Sequence, residues 1–499
     1  MVLKEKSQSG IYRNFLVNLS ILLTLNLLIK PFYIFGIDRS VQNVVGAQSY
    51  GLYYAVFNFA FLFGMLLDCG MTNYNNRHIA RYAHMLPKYF SGMVALRLLL
   101  GIGFLIVIFF AGWLAGYGKT HLYLLAWVGV NQFLSSFLLY LRSNISGLQL
   151  FKTDSILSVA DRLILIGVCS LLLWGNIVKQ PFHIYWFVYA QTFSYGVTVL
   201  IAFLLCVRYA KFQKLSFRIP FFKVILKESF PYALIVLLTS FAIPIGVVFL
   251  ERILGGEIGP MQAGIYAAAY RILDAGIMVG YLVSVLLLPM FSRLLSQKRN
   301  IKDLVFSATN FLLVFSVGAA VWISFYAKEW MGLLYTHHVY ESAQVFQVLI
   351  FSLIPASLSY VFGTLLTANG SMKVLNVIAG GGILIMLGLS FLLVPSYAAV
   401  GSAYANVCVQ CFLMVLQIYF AFGIFHWKCD FKYLGRVVAF LLSLLVATRL
   451  ARYSSLPWLW NFGLGIVYTV VMAFVFNLWN RKSFLMIFSK NMGTEMEKL

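Results

Sequence analysis

Charged side chains are scarce in this sequence. Of its 499 residues only 10% are Asp, Glu, Lys or Arg, and 15 acidic residues face 37 basic ones, a formal net charge of +22. A soluble globular domain carries roughly a quarter charged residues, whereas here 62% of the residues are hydrophobic and the mean hydropathy is +0.88. The composition therefore excludes a soluble protein.

Catalytic and nucleotide-binding motifs are also missing. The sequence contains no GxxxxGK[ST] loop, no HExxH and no GxSxG, and no carboxylate cluster falls in a long polar segment. The first of these motifs holds ATP phosphates, and the other two belong to zinc-dependent and nucleophilic hydrolysis. We therefore predict a protein that is not an enzyme and that uses no cofactor and no metal.

Long apolar runs, by contrast, recur along the whole chain. Most contain roughly eighteen or more residues, enough to cross a ~30 Å hydrocarbon core as a helix. We expect an all-α polytopic membrane protein with about fourteen transmembrane helices. The candidate spans are 14–37, 51–72, 90–116, 121–141, 159–177, 184–207, 230–253, 265–291, 304–327, 344–368, 375–394, 401–424, 437–452 and 459–480.

The basic residues lie mainly on one side of these spans. The side that includes both termini has 27 Lys and Arg, and the other side has 8. Because Lys and Arg of short loops accumulate on the cytoplasmic side, we predict that both termini are cytoplasmic. The positive charge then reflects topology, and no nucleic acid is expected as a partner. The eight basic residues predicted to be external are Lys30, Arg39, Lys119, Lys179, Arg252, Lys328, Arg449 and Arg452.

An internal repeat relates two parts of the chain. A shift of 213 residues aligns 31–57 with 244–270 without a gap. The copies begin six spans apart in the same orientation, which is typical of the parallel repeats of alternating-access transporters. A purely structural duplication is the alternative. The matched pairs are Pro31 with Pro244, Asp38 with Glu251, Arg39 with Arg252, Gly46 with Gly259, Gly51 with Gly264, Tyr53 with Tyr266 and Ala55 with Ala268.

The repeat predicts two parallel six-helix bundles followed by two C-terminal helices. We place the N-terminal bundle at 1–210, a basic interfacial linker at 211–229 and the C-terminal bundle at 230–424. Two additional transmembrane helices and a cytoplasmic tail occupy 425–499. In the linker, Lys and Arg alternate with Phe, which suits a helix that begins near Pro220 and lies on an anionic membrane surface.

Two prolines in equivalent places are candidate hinges. Pro31 and Pro244 lie inside the first and seventh spans. Because proline removes an intrahelical hydrogen bond and clashes with the preceding turn, each should kink its helix. Kinks that serve only packing are the alternative.

Acid-arginine pairs at the outer ends of the same spans are candidate gates. Asp38 and Arg39 end the first span, and Glu251 and Arg252 end the seventh. We predict that Asp38 meets Arg252 and Glu251 meets Arg39 when the external side closes, as the parts of a repeat transporter move. In the alternative, each pair is solvated at the bilayer surface and is worth ~0–1 kcal/mol.

Charges inside the spans are candidates for substrate binding, since such charges are costly and usually face a wet cavity. Arg97 lies ~10 Å deep in the third span and Arg271 ~9 Å deep in the eighth, at 1.5 Å per residue. Together they can present positive charge at two levels of one cavity, and snorkelling to the interface is the alternative. Asp274, one turn from Arg271, is expected to pair with it, with ion coupling as the alternative.

Other ionisable residues have a plainer interpretation. Asp68, Asp161 and Arg162 fall at cytoplasmic ends of predicted spans, where capping or pairing with loop residues explains them. The seven histidines lie near span ends or in loops. No buried proton relay is therefore predicted.

Two stretches of the chain carry ordered motifs. In GAQSYGLYYAVFNFAFLFGMLLDCGMTNYNNRHIA, the pattern G-x-x-x-Y-G-x-Y, D-x-G and R-x-I-A is carried by Gly46, Tyr50, Gly51, Tyr53, Asp68, Gly70, Arg77 and Ala80. This pattern resembles that of bacterial polysaccharide (O-antigen) flippases of the multidrug/oligosaccharidyl-lipid/polysaccharide exporter superfamily. AGIYAAAYRILD followed by LLPMFSRL is similar to the same family's eighth span through Gly264, Tyr266, Ala269, Arg271, Pro289 and Arg293. The order and spacing of these motifs extend the resemblance over essentially the whole chain.

The resemblance implies export of undecaprenyl-diphosphate-linked oligosaccharide across a bacterial inner membrane, for polysaccharide or lipopolysaccharide biosynthesis. Arg97 and Arg271 would supply the cations that a diphosphate needs. The expected partners are the lipid-linked oligosaccharide, membrane lipids and other polysaccharide-assembly proteins. The alternatives are a related lipid II flippase, a drug or cation extruder of the same fold, whose cavity should be acidic, and a membrane glycosyltransferase or polymerase, which would change the glycan.

Overall fold

A computed structural model describes residues 25–26, 28–148, 150–175, 180–210, 214–428 and 430–479 of the protein. The start of the first predicted span, the linker residues 211–213 and the tail after 479 lie outside these residues. Within them all regular structure is helical, and ten helices are long and apolar enough to cross a membrane. The expected all-α polytopic fold is confirmed.

In the first half of the chain, a π-helical turn at Tyr33–Asp38 closely follows Pro31. After it come one long helix, two short ones and then five long ones. They are α1 (Arg39–Leu62), α2 (Met65–Asp68), α3 (Met71–Arg81), α4 (Leu86–Leu114), α5 (Lys119–Gly147), α6 (Phe151–Trp174), α7 (Ile184–Ala210) and α8 (Ile219–Leu254).

The second half continues with long helices and two short ones on the side predicted to be external. A 3-10 turn at Ile350–Ser352 joins two helices into one candidate span, 339–368. The helices are α9 (Ile258–Ser296), α10 (Lys302–Phe325), α11 (Ala327–Leu334), α12 (Val339–Leu349), α13 (Leu353–Ala368), α14 (Met372–Ile424), α15 (Phe431–Ala451) and α16 (Trp458–Val475).

Sharp turns inside two of these helices separate predicted spans. Gly46 in α1 has φ 81°, and Ala398 in α14 has φ 47°. Glycine adopts positive φ readily, whereas alanine rarely does. The turn at Ala398 lays the two halves of α14 side by side, because a Cβ on Gly382 would lie 3.0 Å from the Leu413 side chain. The single helix α14 therefore contains the eleventh and twelfth predicted spans.

Two helices begin or continue differently from the prediction. α8 begins at Ile219, next to Pro220, and continues into the seventh span, so the expected interfacial helix is the start of a longer one. α6 begins at Phe151, eight residues before the predicted span. Its charged first turn is tolerated because the Asp154 carboxylate lies 2.8 Å from Nε of Arg142, and because acidic residues favour helix N-termini.

Contacts divide the chain into two compact units, Met1–Gly264 and Ile265–Leu499. The first unit has a core around Phe90, and the second has clusters around Phe362 and Phe440. This division assigns α8 to the first unit, and the predicted domain boundaries stay a prediction. Large apolar side chains cover the outer helix faces, as expected for helices that pack in lipid.

Candidate functional site

Arg97, a predicted substrate-binding residue, is completely buried in α4, where it is 1% exposed and forms an ion pair with Asp68. Its Nη1 donates to the Leu67 carbonyl at 2.8 Å and to the Ser136 hydroxyl at 3.2 Å. Its Nη2 also donates to the Thr72 hydroxyl at 2.7 Å. The protein therefore occupies both terminal nitrogens. Binding of a diphosphate by Arg97 stays a prediction, and these contacts favour a role in holding helices together.

A break between α2 and α3 gives Asp68 its position. Cys69 and Gly70 both have positive φ, 44° and 76°. The Asp68 carboxylate accepts a hydrogen bond from the Thr72 backbone amide at 3.1 Å and so caps the start of α3. The capping role expected of Asp68 is therefore present, and what the sequence did not predict is its ion pair with Arg97, which lies 29 residues further along the chain.

Arg162 lies near the middle of α6, which the sequence analysis missed. It is eleven residues after Phe151, or about 16 Å along the helix at 1.5 Å per residue. It therefore lies about halfway along a helix that is long enough to cross a ~30 Å hydrocarbon core. The predicted fifth span placed Arg162 near its cytoplasmic end, and the helix in the structure begins eight residues before that span. The ion pair between Arg142 and Asp154 was the available signal, because it lets the helix start in a charged segment.

Two tyrosine rings flank the Arg162 guanidinium. Its central carbon lies 4.8 Å from the ring centre of Tyr33 and 5.9 Å from that of Tyr195, distances at which a cation is attracted to an aromatic face. Its Nε lies 3.6 Å from the neighbouring Asp161 carboxylate, and 28% of the side chain is exposed. Among the described residues, none accepts a hydrogen bond from its terminal nitrogens. Arg162 is therefore the strongest anion-binding candidate in the first unit.

Buried polar side chains form a network beside Arg162. Nε2 of Gln191 donates to the Tyr53 hydroxyl at 2.9 Å, and the Thr192 hydroxyl donates to Oδ1 of Asn131 at 2.7 Å. Nδ2 of Asn131 completes the network with a hydrogen bond to Gln191 at 3.4 Å. Tyr53 also interacts electrostatically with Arg162. Because a satisfied network resists rearrangement, it fixes α1, α5 and α7 around the arginine.

Tyr33 connects Arg162 to the first copy of the repeat. The Asp38 carboxylate, 1% exposed, accepts from the Tyr50 hydroxyl at 2.8 Å and from the Tyr33 hydroxyl at 3.5 Å. Tyr33 begins the π-helical turn that follows Pro31, and π-turns frequently mark functional sites. Hinge and gate roles stay predictions for Pro31, Asp38 and the half-buried Arg39.

A compact ionic cluster lies at the outer end of the second copy. The Glu251 carboxylate, 6% exposed, lies 3.3 Å from Nε of Arg252 and 3.6 Å from Nε2 of His121. The Arg252 guanidinium carbon lies 3.9 Å from the ring centre of Tyr117, which stacks on His121. Burial and the Glu251 carboxylate raise the pKa of Tyr117, so its phenol stays protonated. Gate roles for Glu251 and Arg252, and a hinge at the buried Pro244, stay predictions.

Equivalent glycines of the two copies pack reciprocally. A Cβ on Gly51 would lie 1.8 Å from the Pro260 carbonyl oxygen, and one on Gly264 would lie 2.0 Å from the Ala47 carbonyl oxygen. Ala47 and Pro260 are themselves equivalent, since 260 − 47 equals the repeat shift of 213. Such a close approach of two backbones requires glycine. The repeat read from the sequence therefore has a symmetric contact as its structural counterpart.

Arg271 and Asp274 both lie half-buried in α9 of the second unit. Asp274 interacts electrostatically with Tyr360 of α13. The two helices are close there, because a Cβ on Gly280 would lie 3.0 Å from the Tyr360 ring. Substrate binding by Arg271, and pairing or ion coupling by Asp274, stay predictions.

A family model described as polysaccharide biosynthesis protein matches residues 15–295, more than half of the chain. The chain belongs to the polysaccharide biosynthesis protein family. This assignment confirms the resemblance inferred from the motifs of spans two and eight. A comparison of this family member with curated proteins gives no match.

The fold of this polysaccharide biosynthesis family member is similar to that of several solved transporters. The lipid II flippase MurJ, in an inward closed conformation, matches with a TM-score of 0.67 at 14% identity, over 93% of this chain and 99% of that chain. An inward-facing multidrug resistance MATE family transporter matches with 0.60 at 16% identity, over 81% and 97%. A superfamily transporter from Pyrococcus furiosus matches with 0.56 at 15% identity, over 81% and 94%.

Proposed function

We propose that this protein moves undecaprenyl-diphosphate-linked oligosaccharide repeat units from the cytoplasmic to the periplasmic leaflet of a bacterial inner membrane. The movement proceeds by alternating access and serves polysaccharide or lipopolysaccharide biosynthesis. Membership of the polysaccharide biosynthesis family and the superfamily fold support this proposal. Both termini are cytoplasmic in it, as the distribution of Lys and Arg favours.

Arg162 is the observation that carries the proposal. A diphosphate that crosses a membrane needs a cation at mid-depth, and a guanidinium offers two parallel hydrogen bonds to phosphate oxygens. Arg162 lies midway along α6, and its terminal nitrogens donate to no acceptor in the described part of the chain. The flanking rings of Tyr33 and Tyr195 hold it in place, and the Asp161 carboxylate lies 3.6 Å from its Nε rather than on its terminal nitrogens.

The two arginines named from the sequence then differ in role. Arg271 stays the headgroup candidate of the second unit, since it lies half-buried in α9. Arg97 holds helices together through its ion pair with Asp68, because its terminal nitrogens already donate to protein acceptors. A cation extruder is disfavoured, because the arginine-tyrosine surroundings of α6 suit an anion.

Depletion of the protein in its host tests the proposal. The expected result is accumulation of complete lipid-linked oligosaccharide that stays inaccessible to enzymes added to the periplasm. Arg271→Glu should reproduce this accumulation while reaching the membrane in normal amount. A shortened or altered glycan would instead indicate a glycosyltransferase or polymerase. Changed drug tolerance without accumulation would indicate an extruder.

Double cysteines at positions 38 and 252 test the gate. Ready crosslinking that blocks export is expected if Asp38 and Arg252 meet during transport. The control pair has cysteines at positions 38 and 121. It keeps the first cysteine and moves the second to His121 of α5, which belongs to the same ionic cluster as Arg252. A 38–252 pair that never crosslinks in any condition would remove the gate from the proposal.

A further inference from the structure

A cavity of about 770 Å³ opens at the ends of α10, α15 and α16 in the second unit. It lies at the end of these helices that the charge distribution predicts to be external. Its wall includes Lys328 and Glu329 from the start of α11, Arg449 and Arg452 from the end of α15, and Trp458 from the start of α16. Nothing in the transport proposal uses this cavity.

The charge of the cavity wall is unusual for its position. Only 8 of the 37 Lys and Arg residues are predicted to be external, and three of those eight, Lys328, Arg449 and Arg452, converge here against one acid, Glu329. Lys and Arg are generally depleted from external loops. Three of them around one cavity, two on one helix end and one on another helix, point to a ligand with negative charge.

The base of the cavity is rigid and amphipathic. Asn461, 7% exposed, donates to the Leu456 carbonyl at 3.1 Å and thereby fixes the turn between α15 and α16. The Trp458 ring packs edge-on against Trp330, with their centres 5.4 Å apart. Tryptophan is enriched where a membrane protein meets the polar headgroups of lipids. The cavity is therefore held at headgroup level by an aromatic layer.

Apolar side chains next to the cavity complete an amphiphilic surface. Leu442, Leu445 and Trp460 are 55%, 42% and 69% exposed on the outer faces of α15 and α16. Acyl chains can cover these side chains while a headgroup enters the cavity. Phosphate is the anion that arginine recognises best, through its fork of donors, and lysine adds a point charge.

We propose that this cavity binds the phosphate headgroup of an anionic phospholipid from the surrounding leaflet. Arg449 and Arg452 contact the phosphate, Lys328 contributes charge from the opposite wall, and the acyl chains lie on α15 and α16. The site would make the helices α15 and α16 sensitive to the lipid composition of the membrane.

Native mass spectrometry of the full chain, with added phosphatidylglycerol or phosphatidylcholine, tests this site. We expect tighter binding of the first phosphatidylglycerol than of phosphatidylcholine. The double variant Arg449→Ala/Arg452→Ala should weaken that binding about tenfold, the loss of charge-assisted hydrogen bonds. Lys432→Ala/Arg436→Ala, which removes two charges from the other end of α15, is the matched control and should change it less than about twofold.

Three results would overturn the proposal. Equal weakening by both double variants would show a general charge effect, and unchanged binding in Arg449→Ala/Arg452→Ala would show that the arginines only complement the C-terminus of α15. Displacement of the lipid by micromolar inorganic phosphate or glycerophosphoglycerol would show a site for a free anion. Should the double variant fail to fold, Lys328→Ala on α11 takes its place, and it should also weaken the binding of phosphatidylglycerol.

Discussion

Two arginines of the first unit lie within its long helices, and their surroundings differ. Arg97 is 1% exposed and donates to Asp68, Thr72, Ser136 and the Leu67 carbonyl. Arg162 is 28% exposed and lies between two tyrosine rings, and in the described chain its terminal nitrogens have no hydrogen-bond acceptor. The terminal nitrogens of Arg97 all donate to protein acceptors, whereas those of Arg162 can donate to a bound anion.

This difference separates two uses of charge inside a membrane protein. A buried charge with a full set of partners stabilises the helices that supply them, and removing one partner leaves the other uncompensated. A cation flanked by aromatic faces keeps its charge and its donors, so an anion can bind it. We therefore expect substitution of Arg97 to lower mainly the stability of the protein, and substitution of Arg162 to lower mainly its export activity.

The largest expected effect is on stability at Arg97. Arg97→Ala should lower the free energy of unfolding by roughly 3–5 kcal/mol, because it leaves the Asp68 carboxylate without its cation. Melting curves of the purified protein measure this loss. Replacing both partners, with Asp68→Asn and Arg97→Met together, should cost less than Arg97→Ala alone. Wild-type melting of Arg97→Ala would remove the distinction between the two arginines.

A substitution that causes a backbone clash, Gly51→Ala, measures how much export falls when only stability is lost. Gly51→Ala should destabilise the protein by roughly 1–3 kcal/mol, because its Cβ would lie 1.8 Å from the Pro260 carbonyl oxygen. Gly103→Ala, where nothing lies within 4 Å, is the control. Export by Gly51→Ala should fall only in proportion to the folded protein. A Gly51→Ala protein that melts like Gly103→Ala would contradict the close contact.

At Arg162 the expected effects are reversed. Arg162→Ala should change the free energy of unfolding by less than about 2 kcal/mol, the scale of its cation–π contacts, yet abolish export of lipid-linked oligosaccharide. Arg162→Lys should restore part of the export, because lysine keeps the charge without the fork of donors. Normal export by a well-folded Arg162→Ala protein would refute the role of this residue.

The smallest expected effect concerns an aromatic neighbour of Arg162. Tyr195→Leu removes one of the two flanking rings, whose attraction for the cation is worth about 1 kcal/mol. We expect a several-fold weaker export at unchanged protein level. Tyr209→Leu, on the same helix and 47% exposed, is the matched control. Equal export by the two variants would indicate that the ring does not position the arginine.

The sequence predicted the features that depend on local pattern. Apolar runs located the spans, and a shift of 213 residues aligned Gly51 with Gly264, whose reciprocal backbone contacts the structure then showed. The prediction failed where charges are neutralised across helices. The predicted fifth span begins only at 159, after the charged Lys152 and Asp154. The contact of Asp154 with Arg142 explains why the helix starts earlier.

Contacts between helices also explain why the sequence did not predict the pairing of Asp68 with Arg97. Each has an ordinary explanation when considered alone, a cap for the acid and a cavity residue for the arginine. Their ion pair joins α4 to the short helix α2, which ends at the left-handed residues Cys69 and Gly70. A single sequence does not contain that proximity, since pairing over 29 residues depends on how the helices pack.

Translocation by the purified protein tests the central claim most directly. Undecaprenyl-diphosphate-linked oligosaccharide is placed in proteoliposomes, and its appearance in the outer leaflet is followed with a glycosidase that cannot cross the membrane. The account predicts that the wild-type chain exposes lipid-linked glycan from the inner leaflet, and that a folded Arg162→Ala protein does so no faster than empty liposomes. Equal rates for the wild type and empty liposomes, with the protein folded and correctly inserted, would contradict it.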